Sequence, residues 1–227
     1  MRITVLTGAG ISAESGLATF RAINGLWENH RIEDVATPRG FAADPALVHR
    51  FYNMRRATAA QARPNAAHHA LAHLARHHDV ALVTQNVDDL HEQAGSPDVI
   101  HMHGALSGAL CGACGHRWPA PAQMVPDDPC PACSRPATRP DIVWFGETPH
   151  HLDRIRDALD RADLFAAIGT SGNVYPAAGF ARHVRARGAD CVELNLETSA
   201  NAGDFHRRIV GPASRIVPEW VASLTGG

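Results

Sequence analysis

Short runs of β-branched and other apolar residues recur along the chain, each long enough for one buried strand. They cover residues 3–6, 80–83, 164–168 and 191–194. Stretches with helical character lie between and after them, over residues 44–62, 65–77, 177–187 and 218–224. Asp44 as a cap and Pro45 in the first turn mark the start of the first helix. This alternation predicts an α/β fold, a Rossmann-like parallel sheet with helices on both faces.

The alternation breaks between about residues 108 and 140, where cysteine, proline and glycine crowd together, and we expect a small inserted lobe there. Cys111, Cys114, Cys130 and Cys133 have the spacing C-x2-C-x15-C-x2-C. This spacing predicts one tetrahedral Zn²⁺, and four thiolates would close its coordination shell, so the zinc would be structural. Two disulfides or four free thiols are the alternatives. Cys191 lies on a predicted strand and is expected in the core.

The composition is that of an ordinary globular protein, with 227 residues, 45% hydrophobic content and a net charge of −2. Such a charge balance gives no general attraction for nucleic acid or for an anionic membrane. The sequence shows neither a signal peptide nor an apolar run of membrane-spanning length. We therefore expect a cytoplasmic protein, in which clustered cysteines bind metal rather than form disulfides.

Polar and glycine-rich segments follow the predicted strands, at the edge where parallel α/β sheets bind ligands. After the first strand, Gly8, Gly10 and Ala13 fit the pattern G-x-G-x-x-G/A, whose glycines let backbone amides approach a pyrophosphate. Segments 85–88, 169–171 and 195–197 follow the other strands. Taken singly, each is more often a plain turn or a loop cap. His103, just before the cysteine lobe, could act as a general base, although a chain with 15 histidines offers many surface alternatives.

Together these segments resemble the sirtuin family, most closely its bacterial CobB-like members and their mitochondrial desuccinylase relatives. The likeness runs through nearly the whole chain, in Gly8-Ala9-Gly10-Ile11-Ser12, Glu14-Ser15-Gly16, Thr19-Phe20-Arg21, Gly25-Leu26-Trp27, Gln85-Asn86-Val87-Asp88, His103-Gly104, the four cysteines, Val143-Trp144-Phe145-Gly146-Glu147, Gly169-Thr170-Ser171 and Asn195. It implies a single catalytic domain over residues 1–227. A Rossmann-like large lobe would cover about residues 1–107 and 141–227, and a zinc-binding small lobe about 108–140, with a helical part at about 31–62.

The resemblance also implies an activity. A sirtuin consumes NAD as a co-substrate and moves the acyl group of an acyl-lysine protein or peptide onto it, giving nicotinamide and O-acyl-ADP-ribose. His103 and Asn86 would be the catalytic residues. The residues that would bind NAD are Gly8, Ala9, Gly10, Ser12, Phe20, Arg21, Gln85, Asn86, Asp88, Gly169, Ser171 and Asn195.

Substrate contacts follow from the same resemblance. An extended peptide would lie between two segments, with contacts from Val143, Phe145, Gly146, Glu147, Val174 and Tyr175. Tyr52 and Arg55 are three apart on a predicted helix and resemble the tyrosine and arginine of the desuccinylase subgroup, while Ala36 matches its small pocket residue. This pair would bind the far carboxylate of succinyl-, malonyl- or glutaryl-lysine, without excluding acetyl-lysine. A solvated helix face is the alternative for the pair.

Other functions account for fewer of these residues. Protein mono-ADP-ribosyl transfer would use the same NAD contacts, but would leave label from NAD on the protein. A nicotinamide oxidoreductase would need an acidic ribose residue after a second strand, and Glu33 and Asp34 follow no predicted strand. A zinc-ribbon module for nucleic acid would explain the cysteines alone, because Arg117, Arg135 and Arg139 are too sparse for a phosphate-binding stripe. We therefore predict an NAD-dependent protein-lysine deacylase with no nucleic-acid or membrane partner, and the resemblance implies a monomer.

Overall fold

The computed structural model describes residues 1–19, 26–27 and 30–226. The strands in this part of the chain are β1 (Arg2–Thr7), β2 (Leu26–Trp27), β3 (His30–Arg31), β4 (Asp79–Thr84), β5 (Ile100–His101), β6 (Gly104–Cys111), β7 (Arg117–Pro119), β8 (Thr138–Ile142), β9 (Leu164–Ile168), β10 (Asp190–Asn195) and β11 (Arg207–Val210). The helices are α1 (Ile32–Val35), α2 (Pro38–Ala43), α3 (Pro45–Gln61), α4 (Ala66–Leu74), α5 (Leu90–Gln93), α6 (Leu152–Arg161), α7 (Phe180–Ala186) and α8 (Ala213–Thr225).

Six of these strands form one parallel sheet in the order β11-β10-β9-β1-β4-β5. Numbered along the chain within this sheet, the order is 3-2-1-4-5-6, which is the order of a Rossmann fold. The chain reverses its direction of travel across the sheet between β1 and β9. Ligands of such folds bind outside the carboxyl ends of the strands at this switch point. The predicted parallel α/β fold is confirmed.

Apolar side chains cover both faces of the parallel sheet. On one face, Ile3, Val5 and Ile168 pack with Leu71 from α4 and Trp220 from α8. On the other face, the buried residues from the strands and from α6 and α7 include Leu6, Phe165, Ile155, Val184 and Cys191. Because both faces are buried, the four inner strands β1, β4, β9 and β10 are mostly apolar along their length rather than alternating, and these four were predicted from the sequence. The edge strands β5 and β11 lack such a run and were not predicted.

Two predicted helices differ from the structure. The last helix begins at Ala213 rather than at 218, and Pro218 lies inside it. Proline is tolerated in the first turn of a helix but removes a hydrogen bond further along it, so Pro218 lies at an unfavoured position of α8. The structure instead supports the first turn through a distant residue, because both carboxylate oxygens of Glu14 accept hydrogen bonds from Ser214. The predicted helix 177–187 opens as a 3₁₀ turn, Ala177–Gly179, before α7.

A second sheet lies in the lobe that holds the cysteines, and Cys111 is the last residue of its strand β6. It is antiparallel, in the order β7-β6-β8, and helix α3 packs against β6 and β8. A third apolar cluster lies beneath α3 and includes Val48, Phe51, Leu106, Ile142 and Trp144. None of the described helices is long and apolar enough to cross a lipid bilayer.

Buried hydrogen bonds from α3 hold it to the cysteine-bearing lobe. The Asn53 amide donates from Nδ2 to the carbonyl of Met124 at 2.9 Å and accepts at Oδ1 from the amide of Met124 at 3.0 Å. The Arg56 guanidinium donates to Asn53 Oδ1 at 2.8 Å and to the carbonyl of Leu106 at 2.9 Å. Asn53 therefore satisfies both backbone groups of a residue that is 71 positions away.

We expect Asn53→Ala to lower the free energy of unfolding by about 2 kcal/mol, because it leaves the backbone groups of Met124 buried without their partner. Urea unfolding followed by tryptophan fluorescence measures this change. Thr58→Ala is the matched control on the same helix, since Thr58 is exposed and its hydroxyl donates to the carbonyl of Met54 within that helix. Equal stability of the two variants would contradict the role given to Asn53.

Candidate active site

Two glycine turns meet at the switch point of the parallel sheet. The amide of Gly8 donates to the carbonyl of Ile168 at 2.9 Å, and the amide of Gly10 donates to the carbonyl of Gly169 at 2.8 Å. A Cβ atom on Gly10 would lie 2.7 Å from the Cα atom of Gly169, and Gly169 itself has φ +63°. The glycines thus allow two loops to pack closely. The sequence pattern predicts that the amides of Gly8 and Gly10 face a pyrophosphate, but in the structure they donate to the backbone carbonyls of Ile168 and Gly169.

A buried polar network lies under the first of these turns. The Ser12 hydroxyl accepts a hydrogen bond from Asn86 Nδ2 at 3.1 Å and donates to Asp88 Oδ2 at 3.2 Å. All three residues are buried. Burial raises the pKa of the Asp88 carboxyl, and the hydrogen bonds from the Leu90 amide and from Ser12 partly offset this. The structure therefore brings together three of the predicted NAD residues.

His68, a buried residue of helix α4, belongs to the same network. Its Nδ1 accepts a hydrogen bond from the amide of Asn65 at 3.2 Å, at the start of α4. Burial lowers the pKa of His68 to about 4, so the ring is neutral at pH 7 and carries its one proton on Nε2. This Nε2 lies 3.4 Å from Ser12 Oγ. His68 thus orients the Ser12 hydroxyl toward Asp88.

Polar groups from three strand ends converge on Thr170. Gln85, after β4, donates from Nε2 to Thr170 Oγ1 at 2.9 Å, and Asn195, at the end of β10, donates from Nδ2 to the Thr170 carbonyl at 2.7 Å. Ser171 follows in the same turn and is exposed. The predicted residues Gln85, Gly169, Ser171 and Asn195 therefore follow or end the strands β4, β9 and β10 at the carboxyl edge of the sheet, and Gln85 directly precedes Asn86 of the Ser12 network.

His103 lies at the junction of the two sheets. Its Nδ1 is 3.2 Å from the carbonyl of Gln85, and a carbonyl can only accept, so Nδ1 carries the proton and Nε2 keeps a free lone pair. Burial lowers the pKa of His103, although the Gln85 carbonyl partly opposes this. The imidazole is therefore neutral at pH 7, in the tautomer that can accept a proton at Nε2.

A second histidine, His101, holds the backbone of Asn86. Its Nδ1 lies 3.1 Å from the Asn86 carbonyl, and its Nε2 lies 2.7 Å from a carboxylate oxygen of Glu92. Both partners are acceptors, so both ring nitrogens must donate and the ring must be charged. Burial opposes that charge, but the hydrogen bond and the charge of Glu92 outweigh it and raise the pKa of His101.

Segment 143–147 connects His103 with Ala36. The Val143 amide donates to the His103 carbonyl and the Phe145 amide to the Ala36 carbonyl, both at 2.9 Å. The Phe145 side chain is 47% exposed, and Tyr175 is 74% exposed. Gly146 has φ +90°, and Val174 precedes Tyr175 in a turn that leads into α7. Two large aromatic side chains on the predicted peptide segments thus face solvent.

Two residues of the predicted acyl pocket, Tyr52 and Ala36, are buried, and the third, Arg55, is half-buried. Tyr52 is 1% exposed and packs in one cluster with Ala36 and Trp144. Its hydroxyl accepts a hydrogen bond from Trp144 Nε1 at 3.0 Å. Burial raises the pKa of Tyr52 to about 12, although the Trp144 hydrogen bond and the charge of Arg55 act in the opposite direction. The solvated-face alternative is wrong for Tyr52, and Arg55 is close enough to influence its ionisation.

The four cysteine thiols form a compact group. Cys111 Sγ is 3.7 Å from Cys133 Sγ, Cys114 Sγ is 3.8 Å from Cys130 Sγ, and the four sulfurs all lie within 4.8 Å of one another. A tetrahedral ion with Zn–S bonds of about 2.3 Å requires S–S distances of about 3.8 Å. These distances are too long for disulfides, so that alternative is wrong. The donor set fits one structural zinc.

Some predicted residues could not be placed, and others were missed. Phe20 and Arg21 lie outside the described residues. The sequence analysis assigned no role to Trp144, His68 or His101. For His68, the signal was Asn65 three residues earlier, a spacing that forms a capping box. For Trp144 and His101, the contacts that matter come from residues far away in the sequence.

Comparisons with known proteins agree with this geometry. A profile of the Sir2 family matches residues 8–176. The NAD-dependent protein deacylase of Caulobacter vibrioides is 55% identical over 230 residues, which cover 99% of this chain and 97% of the relative. The structure of a Sir2 homologue–NAD complex is similar with a TM-score of 0.91 and 40% identity, covering 98% of this chain and 88% of that one. A Sir2 variant with a p53 peptide and NAD gives a TM-score of 0.81 at 28% identity, covering 99% and 93%.

We expect Cys130→Ser to lower the zinc content well below one ion per chain and to reduce the thermal unfolding temperature, because a structural zinc site contributes directly to folding. Metal analysis by plasma emission and differential scanning fluorimetry measure the two effects. Cys191→Ala is the control, since this cysteine is buried in the sheet core and should leave one zinc per chain. Full zinc retention in Cys130→Ser would rule out the four-thiolate site.

Proposed function

Because the chain belongs to the Sir2 family and is an NAD-dependent protein deacylase that acts on acyl-lysine, we propose that it prefers acyl groups that end in a carboxylate. The observation that carries this proposal is the burial of Tyr52 beside Ala36 and Trp144, with Arg55 one helical turn away. A buried phenol with a pKa of about 12 stays protonated, and it can therefore donate to an anionic acyl group.

We propose that NAD binds across the switch point. Gly8 and Gly10 would shape the turn that lies against NAD, and Ala9 and Ser12 would contact its phosphates and nearby ribose. Asn86 and Asp88 would hold the reactive ribose and the nicotinamide amide. Gln85 would lie beside them, and Gly169, Ser171 and Asn195 would hold the adenosine half. Phe20 would cover the reactive centre and Arg21 would contact the phosphates. NAD supplies the glycosidic bond that is broken when nicotinamide leaves.

The catalytic base in this proposal is His103. Its Nδ1–H group donates to the Gln85 carbonyl, and this fixes the ring with Nε2 available. Nε2 would take a proton from a ribose hydroxyl, so that the hydroxyl oxygen attacks the acyl carbon. Asn86, the second catalytic residue, is held through its side chain by Ser12 and through its carbonyl by His101.

The acyl-lysine peptide would enter from the side opposite NAD, in the cleft between the parallel sheet and the zinc lobe. Its backbone would pair with segment 143–147, including Val143, Phe145, Gly146 and Glu147, and with Val174 and Tyr175. The exposed aromatic rings of Phe145 and Tyr175 support this placement. Backbone pairing demands little of the peptide sequence, so broad protein specificity would follow.

Transfer of ADP-ribose to protein is not favoured, because the relatives that cover the whole chain are named deacylases. Monomeric action without nucleic acid is part of the same proposal, and the net charge of −2 gives no reason to expect a polyanionic partner.

We expect kcat/KM for deacylation to fall at acidic pH with a midpoint below 6.5. Burial lowers the pKa of His103, the neutral ring is the active form, and activity is therefore lost only as the pH falls through this depressed pKa. His103→Gln should lower kcat by about 10²- to 10⁴-fold. His69→Gln, on the exposed side of α4, is the control. The assignment fails if the residual activity of His103→Gln keeps the same acidic limb.

We expect Arg55→Met to reduce kcat/KM for a succinyl-lysine peptide by about 10- to 100-fold, as for loss of a charge-assisted hydrogen bond. The same peptide carrying acetyl-lysine should change by less than about threefold, because an acetyl group has no carboxylate to bind. Mass spectrometry that follows deacylated peptide and nicotinamide together measures both reactions. Wild-type enzyme that removes acetyl alone would overturn the carboxylate preference and leave the deacylase class intact.

A further inference from the structure

We infer that Trp144 is a specificity-determining residue, because its indole N–H fixes the direction in which the buried Tyr52 hydroxyl can donate. This inference rests on the proposed carboxylate preference and deepens it. Trp144 lies within the segment proposed to hold the peptide, but its own side chain points away from solvent and is 2% exposed.

The direction of the bond between these two side chains follows from their chemistry. An indole Nε1 can only donate, whereas a phenol can donate one proton and accept at its oxygen. The 3.0 Å contact between Trp144 Nε1 and Tyr52 Oη must therefore be donated by Trp144. The phenol proton of Tyr52 cannot point at the indole and has to be directed elsewhere.

The direction left for the Tyr52 phenol proton suits donation to an anion. Arg55 is on the same helix, close enough for its charge to influence Tyr52, and Ala36 adds only a methyl group to the shared cluster. A carboxylate is acceptor-only, so it matches a phenol that is constrained to donate, and a guanidinium that can only donate. A terminal carboxamide presents both a donor and an acceptor and matches this constrained pair less well. The terminal methyl of an acetyl group presents neither.

Trp144 is itself held in place by an ion pair. The Arg139 guanidinium lies over the Trp144 ring, with its Cζ atom 3.5 Å from the ring centroid. Arg139 donates to both carboxylate oxygens of Glu147, at 2.6 and 2.9 Å, and Glu147 Oε2 accepts the Trp144 backbone amide at 2.8 Å. The ring and the backbone of Trp144 are thus anchored separately, so the indole N–H keeps its direction toward Tyr52.

Replacement of the indole by a phenyl ring removes the donor and keeps an aromatic ring under Arg139. In Trp144→Phe the Tyr52 hydroxyl would regain its freedom to turn and to accept. The variant should therefore lose carboxylate preference without losing the deacylation chemistry, which lies at His103.

The experiment measures kcat/KM for one peptide carrying succinyl-, succinamoyl- or acetyl-lysine. We expect Trp144→Phe to lower the succinyl value about 2- to 10-fold, as for loss of one oriented neutral hydrogen bond, with the acetyl value changed less than about twofold. The ratio of succinamoyl to succinyl turnover should rise. Trp118→Phe, in the zinc lobe, is the matched control and should leave all three values unchanged.

A double-mutant cycle distinguishes orientation of the Tyr52 hydroxyl by Trp144 from a general loss of packing in the proposed pocket. Once Tyr52→Phe has removed the hydroxyl, adding Trp144→Phe should not change the succinyl-to-acetyl ratio further, because there is no proton left to direct. Additive losses in that ratio, or an unchanged ratio in Trp144→Phe alone, would overturn the inference. Failure of the proposed carboxylate preference itself would look different. In that case the wild-type enzyme would not favour succinyl-lysine, or Arg55→Met would leave the succinyl-to-acetyl ratio unchanged.

Discussion

The contact between Gly10 and Gly169 is the constraint on which the site depends. It joins the turns after β1 and β9, the two central strands between which the sheet connectivity reverses. The backbones approach too closely for any side chain on either residue. With these turns in contact, Ser12 bonds to Asn86 and Asp88, and Thr170 accepts hydrogen bonds from Gln85 and Asn195. A methyl group at Gly10 or Gly169 would therefore disturb both groups of residues proposed to bind NAD, since both depend on these turns.

Much of the fold could be predicted because its signals are local. The strands are buried on both faces and read as apolar runs, and the paired cysteines have a spacing that suits one metal ion. The details of the site depend on contacts between distant residues. The aromatic contact of Arg139 with Trp144 and the bond from Trp144 to Tyr52 cannot be read from composition or period. Similarly, the start of α8 was misjudged because Glu14, 200 residues earlier, bonds to its first turn.

In the proposed acyl pocket, a buried polar group would select among substrates. In water the Tyr52 hydroxyl would exchange freely between donor and acceptor roles, and its contribution to selectivity would average out. Inside the apolar cluster of Val35, Val48 and Phe51 it has few alternatives, so a mismatch with a bound acyl group would carry the full cost of an unsatisfied polar atom. The same burial that would be a liability in a structural core would then be the source of discrimination.

Helix α3 links the zinc lobe to the residues proposed to choose the acyl group. Tyr52 packs in the apolar cluster beneath α3, whereas its neighbour Asn53 is bonded to the backbone of Met124 in the zinc lobe. The orientation of α3 is therefore a shared property of both regions. An insertion or deletion in the loop that carries Met124 would therefore act on Tyr52 through Asn53, without altering any residue proposed to contact substrate. A loop of the zinc lobe would in this way influence the range of acyl groups, while the loops proposed to bind NAD stay unchanged.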